Sequence, residues 1–192
     1  MKNTITQFSI LFFLLVATTG FAQKDFYVGL KAGGNLSGFT TNDFLNTDVF
    51  GLQVGAIGVI NFNRNFAAQV EVVFNQKGGI FEIPFSDSNP EVKLNYLSIP
   101  LMGKTYLSNN VTFELGPEIG FLLSKSTNTI GNFEDLDKIK SLDLGASAGF
   151  SFQFYSGLVI QTRYTYGLSK LVDGSDYKNS TINLSVGYFF KK

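Results

Sequence analysis

The chain has 192 residues, 44% hydrophobic, 15% aromatic and only 16% charged, with a formal net charge of zero. It has no Cys, His or Trp, which excludes a disulfide framework, a thiol nucleophile, a Cys/His zinc site and a His general base. The balanced charge argues against a nucleic-acid binder that relies on a basic field, and the length fits one domain.

Residues 1–22 read as a secretory signal peptide. Lys2 gives a positive start, an apolar run follows from Phe8 to Ala17, and Gly20 and Ala22 place small residues at −3 and −1 of a cleavage after Ala22. The apolar run is about half of the roughly 20 residues that a membrane-spanning helix needs, so an N-terminal anchor is the weaker reading. Residues 23–192 are then expected to form a single exported barrel domain.

Beyond the signal, no apolar stretch is long enough for a transmembrane helix. Period-2 alternation repeats instead, the pattern of strands whose faces meet different surroundings. Eight runs are predicted as strands: 26–37, 51–62, 66–78, 93–107, 111–123, 142–154, 158–168 and 181–190. Most are longer than the five or six residues common in soluble sheets and match the roughly 9–11 of a tilted membrane-spanning strand. Asn63-Arg64-Asn65, Ser108-Asn109-Asn110 and Tyr155-Ser156-Gly157 are tight turns. Four longer polar segments, 38–50, 79–92, 124–141 and 169–180, lie between them. Short turns on one side and long loops on the other are the wiring of outer-membrane barrels. The predicted fold is all-β, an eight-stranded antiparallel up-and-down transmembrane barrel.

The alternation separates two faces. In 142–154, Leu142, Leu144, Ala146, Ala148, Phe150, Phe152 and Phe154 oppose Asp143, Gly145, Ser147, Gly149, Ser151 and Gln153. A soluble barrel turns the apolar face inward, whereas a membrane barrel turns it to lipid and fills its interior with small and polar residues. The Gly- and Ser-rich second face suits a narrow interior. Tyr27, Phe62, Phe66, Phe74, Phe113, Phe121, Phe154, Tyr166, Tyr188 and Phe190 are expected near strand ends on the lipid face, as aromatic girdles. The membrane barrel is therefore preferred, and a soluble periplasmic barrel binder is the third reading. Gly34 and Gly58 fall on the lipid side, where a barrel would not be expected to place them. Pro117 is expected near a bulge or with its ring on the lipid side, and Pro100 is expected to face inward.

The same phase places Lys31, Lys77, Lys104 and Arg163 inside as bases, with Glu71, Glu114, Glu118 and Asp143 as acids. Four against four is the balance expected if they pair, since an isolated buried charge loses several kcal/mol of solvation. Gln53, Gln69, Asn75, Gln153, Gln161 and Tyr106 add hydrogen-bonding capacity. The first reading is a closed polar lumen. The alternative makes Glu114, Glu118 and Arg163 ligands or gates of a narrow transport pore. Catalysis is disfavoured, because residues i and i+4 on a strand lie roughly 13 Å apart, too far for Glu114 and Glu118 to act as a dyad. No enzyme activity, metal or cofactor is expected. The expected surroundings are outer-membrane lipid and, through the external loops, an envelope protein partner, with the chain itself monomeric and no nucleic acid involved.

The segments Phe26–Phe39 (FYVGLKAGGNLSGF), Glu71–Gly79 (EVVFNQKGG), Leu94–Lys104 (LNYLSIPLMGK) and Leu184–Phe190 (LSVGYFF) resemble the PorT-type outer-membrane β-barrels of the Bacteroidota, often labelled porin family. The resemblance runs over the whole chain after the signal. It implies an eight-stranded barrel in the cell outer membrane, inserted by the barrel-assembly machinery. Phe190 resembles the C-terminal insertion signal of such barrels, although Lys191 and Lys192 follow it.

Overall fold

The computed structural model describes residues 26–41, 44–80, 91–127, 139–171 and 177–190. The expected signal peptide, Lys191, Lys192 and about half of the residues expected in the longer loops lie outside these. Eight strands follow in chain order: β1 (Phe26–Thr41), β2 (Phe44–Asn61), β3 (Phe66–Ile80), β4 (Glu91–Tyr106), β5 (Val111–Thr127), β6 (Leu142–Gln153), β7 (Leu158–Gly167) and β8 (Lys178–Phe190). Each pairs antiparallel with its chain neighbours, and β1 pairs with β8 from Val28 opposite Phe190 to Thr40 opposite Lys178, closing the barrel. Closure matters because an unpaired backbone group in hydrocarbon costs several kcal/mol.

The tight turns are set by their own side chains. Asn63 Oδ1 accepts from the backbone N–H groups of Asn65 and Phe66 at 2.8 and 2.9 Å, and Ser108 Oγ accepts from that of Val111 at 3.1 Å. These local bonds satisfy the backbone where the ladder ends. Gly157 has φ +96°, and its N–H donates to the Phe154 carbonyl at 3.0 Å. Only glycine adopts that conformation without strain.

The opposite ends differ from the sequence expectation. β1 runs on to Thr41 and β2 begins at Phe44, so residues 38–41 and 44–50, expected in a long loop, belong to strands. Residues 79–80, 91–92, 124–127 and 178–180 likewise extend their strands. Strands that leave the hydrocarbon no longer need an apolar outer face, so alternation fades before the ladder does. The register shift between Ser37 and Gly38 breaks the period as well.

The outer wall is oily. Leu184 is 60% exposed, whereas Asn183 beside it is 6% exposed. Phe26, Phe62, Phe66, Phe154, Tyr188 and Phe190 ring the turn end on the outside, and Phe50, Phe74, Phe121 and Tyr166 stand towards the loop end. Tyr27, expected among them, instead faces inward: it is half-buried, its hydroxyl lies 3.1 Å from that of Tyr106, and its ring packs edge-on against Phe189 at 4.7 Å. It shares the phase of Lys31, and its aromatic character alone had suggested the lipid face. Pro117 is exposed and Pro100 buried.

The outward glycines have covers. A Cβ on Gly34 would meet the Phe50 ring at 2.8 Å, and one on Gly58 would meet the Phe26 ring at 3.5 Å. Each ring lies across a neighbouring strand and shields backbone that glycine would leave bare.

The β2–β3 ladder runs from Asn61 opposite Ala67 to Gln53 opposite Asn75. Beyond it, side chains close the wall. Gln76 Oε1 accepts from the Leu52 N–H at 3.3 Å, and Asn35 Nδ2 donates to the Gln76 carbonyl at 2.8 Å. Ser37 Oγ accepts from the Gly78 N–H at 2.8 Å and donates to the Val49 carbonyl at 3.3 Å.

Candidate functional site

The barrel interior has three tiers. At the loop end Phe39, Val92, Leu94, Tyr96, Ile139 and Leu171 form an apolar cluster. At the turn end Ile57, Val59, Ala67, Val159 and Phe189 form another, with Tyr27 and Tyr106 packed against it. The charged residues lie in the interior with them. All eight ionisable residues placed inside by the sequence phase are buried here: Lys31, Glu71, Lys77, Lys104, Glu114, Glu118, Asp143 and Arg163.

Register assigns them to two groups. In the first, Glu71 takes Lys31 Nζ at 2.5 Å and Arg163 through two nitrogens at 2.7 and 3.2 Å. Arg163 also reaches Glu114 at 2.9 Å, and Lys104 pairs with Glu114 at 3.0 Å. Gln161 joins the pairs, accepting from Lys31 at 2.9 Å and donating to Glu114 at 2.7 Å. Gln69 accepts from Lys104 at 2.8 Å and donates to Glu71. In the second group, Lys77 stands 3.0 Å from Glu118 and 3.3 Å from Asp143, and 5.4 Å above the Tyr96 ring.

Hydroxyls and amides complete the shell. Ser147 and Thr165 donate to Glu118 at 3.2 and 3.3 Å. Ser169 and Asn179 donate to Asp143, both at 3.1 Å. For two of them the signal in the sequence was phase: Ser147 and Thr165 share the inward parity of Asp143 and Arg163 on their own strands, whereas Ser169 and Asn179 fall in the segment expected as a loop. Gln53 and Asn75 are buried, whereas Gln153 and Tyr106 are half-buried at the turn end. Tyr106 donates to Asn61 Oδ1 at 2.9 Å.

Removed from water, each ion is stabilised by opposite charges at hydrogen-bonding distance and by hydroxyl or amide groups around it. Glu114 and Glu118 fall into different groups, which is the separation their strand spacing required. Among the described residues no group of three or more acidic side chains is arranged to hold a metal ion. The arrangement is a set of ion pairs in which each of the eight charged groups has an oppositely charged partner.

The model of a protein family described as outer membrane protein beta-barrel domain matches residues 21–173. Among solved structures, the chain is similar to Ail, the attachment invasion locus protein of Yersinia pestis, in complex with the heparin analogue sucrose octasulfate. That match has 18% identity and a TM-score of 0.51, covering 86% of this chain and 99% of that one. It is also similar to neisserial surface protein A, at 14% identity and a TM-score of 0.50, covering 86% of this chain and 97% of that one. At these identities the likeness is one of fold. No curated protein matches the chain by sequence.

Proposed function

Because the chain belongs to the outer membrane protein β-barrel domain family, we propose that it is a closed-lumen barrel acting as a structural or interaction protein through the connections at its loop end. The observation that carries this reading is the tiered interior. Two apolar clusters flank paired ions, and the cavity among those ions is about 10 Å³, room for about one water. A solute path would have to break ion pairs and pass both oily tiers. The interior thus acts as a stabilising plug, which leaves the outward-facing connections as the working surface.

In this reading residues 1–22 direct export and are removed, the barrel-assembly machinery inserts the domain, and the product is a monomeric, PorT-like barrel of the Bacteroidota kind with no enzymatic activity. Its partner is another envelope protein, met through the external loops expected between the strands. Ail, a barrel of the same fold, is named for attachment and invasion, and a role of that type, engagement of an external partner, is the one carried over.

One feature favours the alternative, a narrow transport pore. A vestibule of about 940 Å³ opens at the turn end, lined by residues of all three tight turns. Its inner wall holds Tyr27 and Tyr106, which pack on the turn-end apolar cluster, so it leads onto an oily tier. Planar-bilayer recording of purified protein separates the two readings. The plug predicts a silent membrane, and steady single-channel steps would overturn it.

A further inference from the structure

The two ion groups carry unequal charge. The first has three bases, Lys31, Lys104 and Arg163, against two acids, Glu71 and Glu114. The second has one base, Lys77, against Glu118 and Asp143. One group is therefore net positive by one and the other net negative by one. No ion pair between described residues of the two groups joins them. Between them lies the cavity of about 10 Å³, which Lys31, Glu71 and Arg163 line from the first group and Glu118 from the second. Gln53, Asn75, Ser98 and Asn183 add polar groups to its wall, and seven of the eight strands converge on it.

Four buried atoms of these lining side chains have no hydrogen-bond partner among the described residues: Gln53 Nε2, Ser98 Oγ, Arg163 Nε and Asn183 Oδ1. Gln53 Nε2 and Arg163 Nε donate, Asn183 Oδ1 accepts and the Ser98 hydroxyl can do either. Asn183 stands directly opposite Arg163 in the β7–β8 register, so this donor and acceptor belong to facing residues. A buried polar atom left unpaired costs about 1–3 kcal/mol, and four beside one cavity point to a shared partner.

We propose that this cavity is a binding site for a single structural water that lies between the two oppositely charged groups. The volume matches one water, and two to four polar partners are what such a water needs. It accepts from Gln53 Nε2 and Arg163 Nε and donates to Asn183 Oδ1, with the Ser98 hydroxyl beside its second proton. Ions fit worse. A chloride would face the carboxylates of Glu71 and Glu118, and a sodium ion would face the two donors. Only a molecule that both donates and accepts satisfies the wall, and the interior charges already balance without an added ion.

Oxygen-17 magnetic relaxation dispersion on the barrel refolded in detergent micelles tests this, because it counts long-lived waters without interference from exchanging lysine or hydroxyl protons. Gln53→Met, which removes a donor and puts a methyl group towards the cavity, is expected to lower the dispersion by one water per barrel. If that variant does not fold, Ser98→Val fills the same space and gives the same loss. Asn183→Ala, which enlarges the cavity, leaves the count undiminished. An unchanged dispersion in a folded filling variant overturns the site. So does a dispersion that falls in the unsubstituted barrel as sodium chloride is raised, since the site then takes an ion in place of water.

Discussion

Glu71→Gln is the most informative single change to the ion network. Both oxygens of Glu71 are already occupied by donors: Oε1 by Arg163 at 2.7 Å and by Gln69, and Oε2 by Lys31 at 2.5 Å and Arg163 at 3.2 Å. An amide in its place keeps the shape but points an NH₂ at a cation in either orientation. The group also moves from one excess positive charge to two. Removing one partner of a buried ion pair costs about 3–5 kcal/mol, which is roughly two to four powers of ten in the folding equilibrium. Urea titration of the barrel in phospholipid vesicles measures it, with tyrosine emission as the probe, since the chain has eight Tyr and no Trp. Adding Lys31→Met to Glu71→Gln restores the excess to one and is expected to recover more than half of the loss. If Glu71→Gln alone unfolds at the wild-type urea concentration, the interior ions do not hold the barrel together and the argument from paired charges fails.

Three further outcomes follow from the wall. Leu144→Arg or Phe150→Arg puts a basic group against acyl chains and is expected to destabilise the inserted barrel by about 2–4 kcal/mol; unchanged stability in vesicles would show that strand β6 is phased the other way. Phe50→Ala uncovers Gly34 and is expected to lower stability by about 0.5–1 kcal/mol; an equal loss for Phe50→Ala in a Gly34→Ala background would argue that the ring shields nothing. Amide hydrogen exchange in nanodiscs is expected to be faster at Leu52, whose N–H is held by a side chain, than at Ala56 within the β2–β3 ladder; equal protection would mean that the seam is as firm as the rest of the wall.

Strand β6 shows what was legible. From Leu142 to Phe152 the faces alternate without a break, so one parity choice fixed the inward set, and Asp143, Ser147 and Ser151 are all buried. The same parity set Pro117 outward and Pro100 inward. Where both faces are apolar, the contrast disappears. On β4, Val92, Leu94 and Tyr96 point inward as part of the loop-end cluster, yet the neighbouring Leu97 and Ile99 are apolar as well. Local alternation therefore gave no sign of an oily plug. At the other end Phe189 follows the inward parity of Asn183 and Ser185, and it is the apolar tier it forms with Val159 that alternation conceals.

Pairing was illegible for a different reason. That Glu71 on β3 meets Arg163 on β7, 92 positions away, depends on the stagger around the whole closed sheet, which no local window contains. The division into two groups of opposite net charge, and the cavity between them, are products of that stagger. The sequence supplied the members and their parity; closure chose the partners.

Spin labels placed one at a time along β6 test the orientation on which the whole account rests. The chain has no native Cys, so each label reports a single site. Labels at Leu142, Leu144, Phe150 and Phe152 in bilayers are expected to collide freely with dissolved oxygen, and labels at Asp143, Ser147 and Ser151 to be shielded from it. Oxygen access that peaks at the odd-numbered positions, or that shows no two-residue period, would contradict a barrel with its oily wall against lipid and its ions inside.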